Sequence, residues 1–578
     1  MSLVQILIKR QKENGGFLSA EVLQEISDRT STPLYRLQEL VSFYNSFRLA
    51  PPPKVEVQVC RDFSCHMHQS QELIQDLKNE FATEIEQGQV SISGKSCMGY
   101  CDGPVAVSLN HHIVPDSNLR QCVTSIRSIL KSGITHGKSV DHEIPDEWEI
   151  DCYQKQTKYE LLNNFLQAAD RNAFGESVLK ALEDSSLVGK GGPGARTAKK
   201  WRTVKKYAEQ ENRAVRYVVC NADESEPGTF KDRELLLRTP HLVLEGIITA
   251  ALIIGAERAY IYIRHEYESQ IEAFQRCIDD AKARGLCGRN LLKTGLNCEV
   301  EVFVSPGNYI CGEQTAMIEA MEDKRAQPRQ RPPDLEIQGY RNFPTLVNNV
   351  ETFAWVPAIF NNGPDWYRKL GVNDCEGKRF VSLSGDINRP GVYEVPLGST
   401  VGDLLELVGG MRDGQELQAF GVSGPSGGFL PRKFSRDQLP DDFVKKMIPE
   451  GEHEFDLLNL PLDNNFFRFQ LRGRFNLGAA HLFIGEQTDL VSLVKSCTEF
   501  YRNESCGKCV PCRLGSEKLV QIASRPLNEG KLQIPDYFPD LIELMQESSI
   551  CGLGQVAFNP LLSLKEFFPE TWEVAKSR

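Results

Sequence analysis

No stretch of this sequence stays apolar for long. The longest such run, Gly246 to Ala256, is too short to cross a bilayer as a helix, so no direct membrane insertion is expected. Positive charge is in short supply as well. Against 78 Asp and Glu stand 66 Lys and Arg, a formal net charge of −12, which argues against a nucleic-acid-binding surface. The opening residues, MSLVQILIKRQKENGG, show no proper apolar core or cleavage site for secretion. A cytoplasmic setting, at most peripheral to a membrane complex, is therefore expected. No internal repeat or low-complexity tract is visible. A disulfide framework is missing too: Cys122, Cys152, Cys220, Cys277, Cys287, Cys298, Cys311, Cys375 and Cys497 follow no regular spacing and read as free thiols in a reducing compartment. At 578 residues the chain should form several domains.

The remaining eight cysteines are patterned. Cys506, Cys509, Cys512 and Cys551 stand as C-x2-C-x2-C-x38-C, three thiols close together and a fourth from a distant segment. Such a set can wrap a four-iron, four-sulfide cubane. Cys60, Cys65, Cys97 and Cys101 stand as C-x4-C-x31-C-x3-C, two pairs from two loops, which suits a two-iron cluster with two thiolates per iron. Zinc also takes four thiolates and is the alternative for both sets, although neither has the paired C-x2-C knuckles of most zinc sites.

Along the chain the patterning changes several times. Residues 1 to about 50 read as helical, with Leu34, Leu37, Leu40 and Val41 at helical spacing, up to Pro51-Pro52-Pro53. Val55 to Cys60 reads as a strand, Glu72 to Phe81 as a helix, and Val90 to Cys101 as a strand and loop. Val105 to Asn110 reads as a third strand. Residues 136–160, rich in Asp, Glu, His and Lys, read as a linker. Beyond 161, strands at Arg216–Glu224, Arg258–Arg264 and Val300–Gly307 alternate with helices, including the apolar Leu242–Ala256. That order implies an α/β layer with a largely parallel sheet and ligands at the strands' C-terminal ends. Arg379 to Gly410 reads as a hairpin followed by a helix, fitting a β-grasp domain, and the residues from about 485 return to helix.

Four loops carry candidate chemistry. Gly189 to Trp201 has four glycines in six residues ahead of a basic helix start, a backbone suited to phosphate but equally to simple flexibility. Asn221 to Arg233, NADESEPGTFKDR, follows a buried strand and places Asp223, Glu224 and Glu226 within four positions; either it faces a ligand or it is a solvated acidic loop. GNYICGEQTA, from Gly307, and FPTLVNNVET, from Phe343, likewise set Gly, Asn or Glu before a helix, and asparagine offers the mixed donors and acceptors that a flavin ring edge requires.

These four loops, together with ESCGKCVPCR and SSICGLGQ around the C-terminal cysteines, resemble the flavin subunit of the NADH-dehydrogenase module of respiratory complex I. The N-terminal part, with SFYNSF ahead of its cysteines, is similar to the companion two-iron subunit. The fusion of both resembles the diaphorase subunits of NAD-reducing hydrogenases and NAD-dependent formate dehydrogenases. The likeness implies an α/β multidomain fold: residues 1–135, a helical bundle with a thioredoxin-like 2Fe–2S domain; 136–160, a linker; 161–375, a Rossmann-like FMN domain; 376–480, a β-grasp domain; and 481–578, a helical 4Fe–4S domain. It implies FMN, 2Fe–2S and 4Fe–4S cofactors, NAD(H) as substrate, and partner subunits carrying iron–sulfur or catalytic centres. Residue by residue, Gly189, Lys190, Gly191, Gly192 and Lys200 match the flavin phosphate loop. Asn221, Asp223 and Ser225 match the positions around the isoalloxazine and ribityl chain. Tyr309, Gly312, Glu313, Asn348 and Asn349 match further FMN contacts, and Glu226 the acid that places the nicotinamide. The eight patterned cysteines match the cluster ligands.

The sequence also departs from the family. Ala195, Thr203 and Asp334 stand where phenylalanines usually sandwich the nucleotide, Lys190 replaces an arginine, and Gln314 replaces the second acid of a G-E-E triplet. Two consequences are open besides ordinary NADH binding restored by other residues. With Gln314 no longer repelling a 2′-phosphate and Arg196 and Lys199 nearby, NADP(H) becomes acceptable. Otherwise the nicotinamide site is degenerate, and the chain carries electrons within another oxidoreductase, such as an acyl-CoA reductase or a hydrogenase.

Overall fold

The computed structural model describes residues 2–133, 148–153, 158–192, 194–463, 467, 477–525 and 531–574. Most of the linker expected at 136–160 lies outside them. Its described part is packed at several points: Ile150 and Tyr153 are buried, and Trp148 packs edge-on against Phe380 at 4.7 Å.

Three helices, Leu3–Glu13, Ala20–Thr30 and Leu34–Phe43, open the chain, the first two capped by the hydroxyls of Ser2 and Ser19. Their apolar stripes meet at Leu7, Leu23, Ile26, Leu37 and Leu40. A four-stranded sheet follows, in the order β2-β1-β3-β4, with β1 Val55–Cys60, β2 Val90–Lys95, β3 Val107–Leu109 and β4 His112–Val114. β1 and β2 are parallel and the other pairs antiparallel. The third strand is shorter than the expected Val105–Asn110, and β4 was not foreseen. Its signal is the two-residue turn Asn110-His111, both at positive φ (48° and 75°), the geometry of a tight hairpin.

The flavin-type layer is a four-stranded, all-parallel sheet in the order β7-β6-β5-β8: β5 Tyr217–Ala222, β6 Arg258–Arg264, β7 Glu299–Ser305 and β8 Thr345–Asn349. The chain runs outward from β5 through β6 to β7, then returns to place β8 on the other side of β5. The strand order therefore reverses between β5 and β8, the place where such sheets form a ligand crevice beyond the strands' C-terminal ends. The helix Pro240–Ile254 is apolar all round and accordingly buried, packed against Val350–Asn362. Among the described residues no single helix is long and apolar enough to cross a membrane.

That helix carries one buried acid. Glu245 is fully buried, accepts from Tyr153 Oη (2.8 Å) and Leu162 N (3.0 Å), and burial pushes its carboxyl from about 4.5 up to about 7. Because the folded value lies above the unfolded one, the folded chain holds a proton that the unfolded chain has released. Stability is therefore full below about pH 4.5, falls as pH rises to about 7, and is flat above. The loss is of order 3 kcal/mol. Thermal unfolding of Glu245→Gln should lack this slope: the wild type should lose stability relative to the variant across that window, over a pH-independent offset from the one acceptor that glutamine cannot replace.

The next sheet has five strands, β10-β9-β15-β11-β12: β9 Lys378–Gly385, β10 Gly391–Pro396, β11 Leu417–Gly421, β12 Phe429–Pro431 and β15 Ala480–Gly485. The small hairpin β13 Lys433–Ser435 and β14 Glu454–Asp456 stands apart from it. β15 enters parallel to β9 and antiparallel to β11, so the sheet takes its middle strand from just ahead of the last helical region. That region holds the helices Leu490–Glu504, Val510–Ala523, Phe538–Ser548, Gly552–Val556 and Asn559–Phe567.

Candidate functional site

Asn221, at the end of β5, pairs in register with Asn349 of β8, so the two asparagines flank the crevice where strand order reverses. Asn221 Nδ2 donates to Gly312 O at 2.9 Å, and its Oδ1 accepts from Asp223 N at 3.1 Å. This draws in the turn Tyr309–Gly312. A Cβ on Gly312 would stand 2.9 Å from Asp223 O, so only glycine permits the approach. Glu313 then caps the helix Gln314–Met321, accepting from Thr315 N and Ala316 N, both at 2.9 Å. The glycine loop closes on itself through Gly189 N and Ala195 O (2.8 Å). A Cβ on Gly191 would lie 3.0 Å from Asn349 Cβ, while one on Gly192 would meet nothing within 4 Å. The loop therefore covers Asn349 and leaves Gly192 facing open space.

Several expected contact residues turn out to be committed to the protein. Asn349 donates to Asp232 Oδ2 (2.7 Å) and accepts from Lys231 Nζ (3.1 Å) and Glu351 N (3.0 Å). Asn348 Oδ1 accepts from the buried Trp201 Nε1 at 3.0 Å. Lys190 Nζ is spent on Lys378 O at 3.0 Å, and burial brings its ammonium down to about 8. Lys200 Nζ donates to Val347 O at 2.7 Å and pairs with Glu336 at 3.3 Å. With its amide oriented to satisfy both partners, Gln314 accepts from Arg331 at 2.6 and 2.9 Å. Ala195, Thr203 and Asp334 are exposed. The acidic loop is not solvated. Buried Glu224 accepts from Asp232 N (3.0 Å) and Arg233 N (3.3 Å) at the start of the helix Lys231–Arg238, and burial pushes it up to about 8.

Asp223 and Glu226 differ from this group. Asp223 Oδ1 accepts from Ser225 Oγ; its Oδ2 is buried and makes no hydrogen bond of good geometry, and burial pushes the carboxyl up to about 6 although the Ser225 and Ser305 hydroxyls ease it back. An orphaned buried acceptor is costly unless something completes it, and a hydroxyl-bearing ligand in the crevice would do so. Glu226 accepts from Tyr309 Oη and from Ser426 N (3.0 Å); burial raises its carboxyl, and these two bonds ease it back. Ser426 comes from the five-stranded region, a partner that no local pattern announces.

Each of the two cysteine sets touches this loop system. Cys97 and Cys101 sulfurs are 3.4 Å apart, and Cys60 lies against both Cys65 and Cys97. Backbone N–H groups of Gly99 and Ala106 (3.4 Å each) and of Gly228 (3.2 Å) point to the sulfurs of Cys97, Cys65 and Cys101, as cluster sulfurs require. Gly228 belongs to the acidic loop, so that loop touches the N-terminal cysteine set directly. Cys506, Cys509, Cys512 and Cys551 line one pocket, partly open to solvent, whose wall also includes Ile310 and Pro328. Cys509 and Cys551 each precede a helix, placing positive helix ends beside the pocket. A Cβ on Gly554 would stand 2.9 Å from Cys512 Cβ, so glycine lets the Cys551 segment close on the other three thiols.

A topological switch point in a parallel sheet with two patterned thiol sets against its loops is the architecture of an iron–sulfur electron-transfer protein with a ligand at the strand ends. Family models match in chain order: a thioredoxin-like 2Fe–2S ferredoxin over residues 1–130, the Nuo51 FMN-binding domain over 182–358, an SLBB domain over 380–430 and the NADH-ubiquinone oxidoreductase-F iron–sulfur binding region over 492–575. The F subunit of the NADH-quinone oxidoreductase of Streptomyces coelicolor is 37% identical over 438 residues, covering 74% of this chain and 88% of the relative. The alpha subunit of the NAD-reducing hydrogenase HoxS of Cupriavidus necator is 31% identical over 597 residues, covering 99% and 91%. A crystal structure of an NAD⁺-reducing NiFe hydrogenase in its H2-reduced state superposes with a TM-score of 0.81 at 28% identity, covering 98% of this chain and 91% of that one. The chain belongs to the family of flavin subunits shared by NADH-quinone oxidoreductases and NAD-reducing hydrogenases.

Proposed function

We propose that this chain exchanges a hydride between NAD(H) and FMN and passes single electrons through a 4Fe–4S cluster on Cys506, Cys509, Cys512 and Cys551 to partner subunits of a larger redox complex. A 2Fe–2S cluster on Cys60, Cys65, Cys97 and Cys101 completes the set. Bound FMN supplies the conversion between paired and single electrons. The chain supplies placement. Gly191 and Gly192 present backbone to the phosphate end, and Asp223 takes a ribityl hydroxyl on its orphaned oxygen. Glu226, fixed by Tyr309 and Ser426, holds the nicotinamide without moving a proton. Asn348, Asn349, Lys190 and Lys200 act one step back, stiffening the loops through Trp201, Lys231, Lys378 and Val347. The observation that carries this reading is adjacency: the turn that reaches Asn221 at the crevice contributes Ile310 to the wall of the four-cysteine pocket. Thiolate clusters and unpaired thiols suit a reducing compartment, which supports a cytoplasmic setting, at most peripheral to a membrane complex.

Anaerobic mixing with NADH, and separately with NADPH, tests the nicotinamide step through flavin absorbance. NADH is expected to bleach the flavin. Glu226→Gln should slow that bleaching about tenfold, the worth of one charge-assisted contact of about 1.4 kcal/mol. An unchanged spectrum in FMN-loaded protein would remove the nicotinamide step and leave an electron-transfer component of another oxidoreductase.

A further inference from the structure

Glu504 ends the helix Leu490–Glu504, two residues ahead of the four-iron ligand Cys506. Its two carboxylate oxygens are used in opposite directions. Oε1 accepts from Ser96 Oγ at 2.6 Å, in the loop that continues into Cys97 of the two-iron set. Oε2 accepts from Tyr309 N at 2.8 Å, in the turn that contributes to both the crevice and the four-cysteine pocket. One half-buried side chain thus ties together three segments that are far apart in sequence. Tyr309 extends the tie, because its hydroxyl donates to Glu226.

We propose that Glu504 is a positioning residue that holds the two-iron loop, the flavin-side turn and the four-iron loop in one register, with its charge set between the two clusters. The inference rests on the cofactor assignments above. Two physical consequences follow. Potentials of iron–sulfur clusters depend on nearby charge and hydrogen bonding, and a carboxylate close to both disfavours adding an electron to either. Removing the charge should therefore move both midpoints in the positive direction. The amide of Tyr309 and the Ser96 loop should also lose protection together when their shared acceptor is gone.

The test uses the full chain purified without oxygen. Mediated redox titration followed by electron paramagnetic resonance reads both clusters without a nicotinamide. Glu504→Gln should shift both midpoints positive and alter the two-iron line shape. Ser96→Ala, a small change at a half-buried position, should alter the two-iron signal and leave the four-iron signal as in the wild type. Hydrogen–deuterium exchange supplies a readout that needs no cofactor: Glu504→Ala should speed exchange at least tenfold in peptides covering both Ser96 and Tyr309, and Ser96→Ala only in the first. Wild-type midpoints in Glu504→Gln, or a Ser96→Ala effect as large on the four-iron cluster as on the two-iron one, would overturn the proposal. So would unchanged exchange at Tyr309. A wild type with neither cluster signal would instead refute the cofactor assignments, and the exchange comparison would still decide the role of Glu504.

Discussion

Replacing Cys509 with alanine is expected to abolish electron delivery to the partner subunits while leaving flavin reduction in place. Cys509 sits at the mouth of the helix Val510–Ala523, between Cys506 in the preceding turn and Cys512 in the first helical turn. A cubane with one thiolate removed has an exposed iron that no other side chain is set to take, because the remaining wall of the pocket is Ile310, Pro328, Ser505, Lys508, Ile550 and Leu553. Ser505 Oγ is already engaged with Cys512 Sγ at 3.2 Å. Iron per chain should fall from about six to about two, and the dithionite-reduced spectrum should keep only the two-iron signal. Bleaching by NADH should persist, since the crevice is built from β5, β8 and their loops. Turnover with the natural partner should drop by orders of magnitude to the background of the apoprotein. A variant that kept full turnover would show electrons leaving by another route, with the N-terminal cluster as the first candidate.

The cysteine spacings made this prediction legible from the sequence, because cluster ligation is a local constraint on spacing and residue type. The parallel sheet was legible for a similar reason: Arg258–Arg264 and Tyr217–Ala222 are nearly continuous apolar strands separated by helices. What the sequence left obscure is of another kind. Asn349 reads as a flavin contact, but its amide is consumed by Lys231, Asp232 and Glu351. Only the fold reveals that this charged cluster lies behind it. Glu504 and Ser96 lie 408 positions apart, and Glu226 and Ser426 lie 200 apart. Neither pair leaves a trace in any local pattern. β4 was missed because its three residues carry too little periodicity to stand out against the turn before them.

The same long-range logic identifies the contact on which the two-iron domain depends. Arg233, 1% exposed, reaches across from the acidic loop's helix and donates to Gly99 O (2.7 Å) and to both oxygens of Asp102 (3.0 and 2.5 Å). It also pairs with Glu234 at 3.0 Å and stacks over Tyr100 and Phe230. Arg264 adds a second anchor, donating to Cys97 O at 2.8 Å. Two guanidinium groups from the flavin-type layer therefore grip the backbone of the Cys97–Cys101 loop. Arg233→Met keeps much of the volume and removes the charge, leaving Asp102 facing a buried, unpaired position. Breaking a buried pair from one side costs about 3–5 kcal/mol, mostly through the charge left behind. The thermal midpoint should fall, and the two-iron signal should be lost before the four-iron signal on warming. The companion Asp102→Asn separates that penalty from the worth of the pair. If the stranded charge is the main cost, the double variant should be more stable than Arg233→Met alone, with a coupling of about 1–3 kcal/mol in a double-mutant cycle. Strict additivity would mean that Arg233 acts through Gly99 O and its aromatic stack, and that the ion pair contributes little to holding the two domains together.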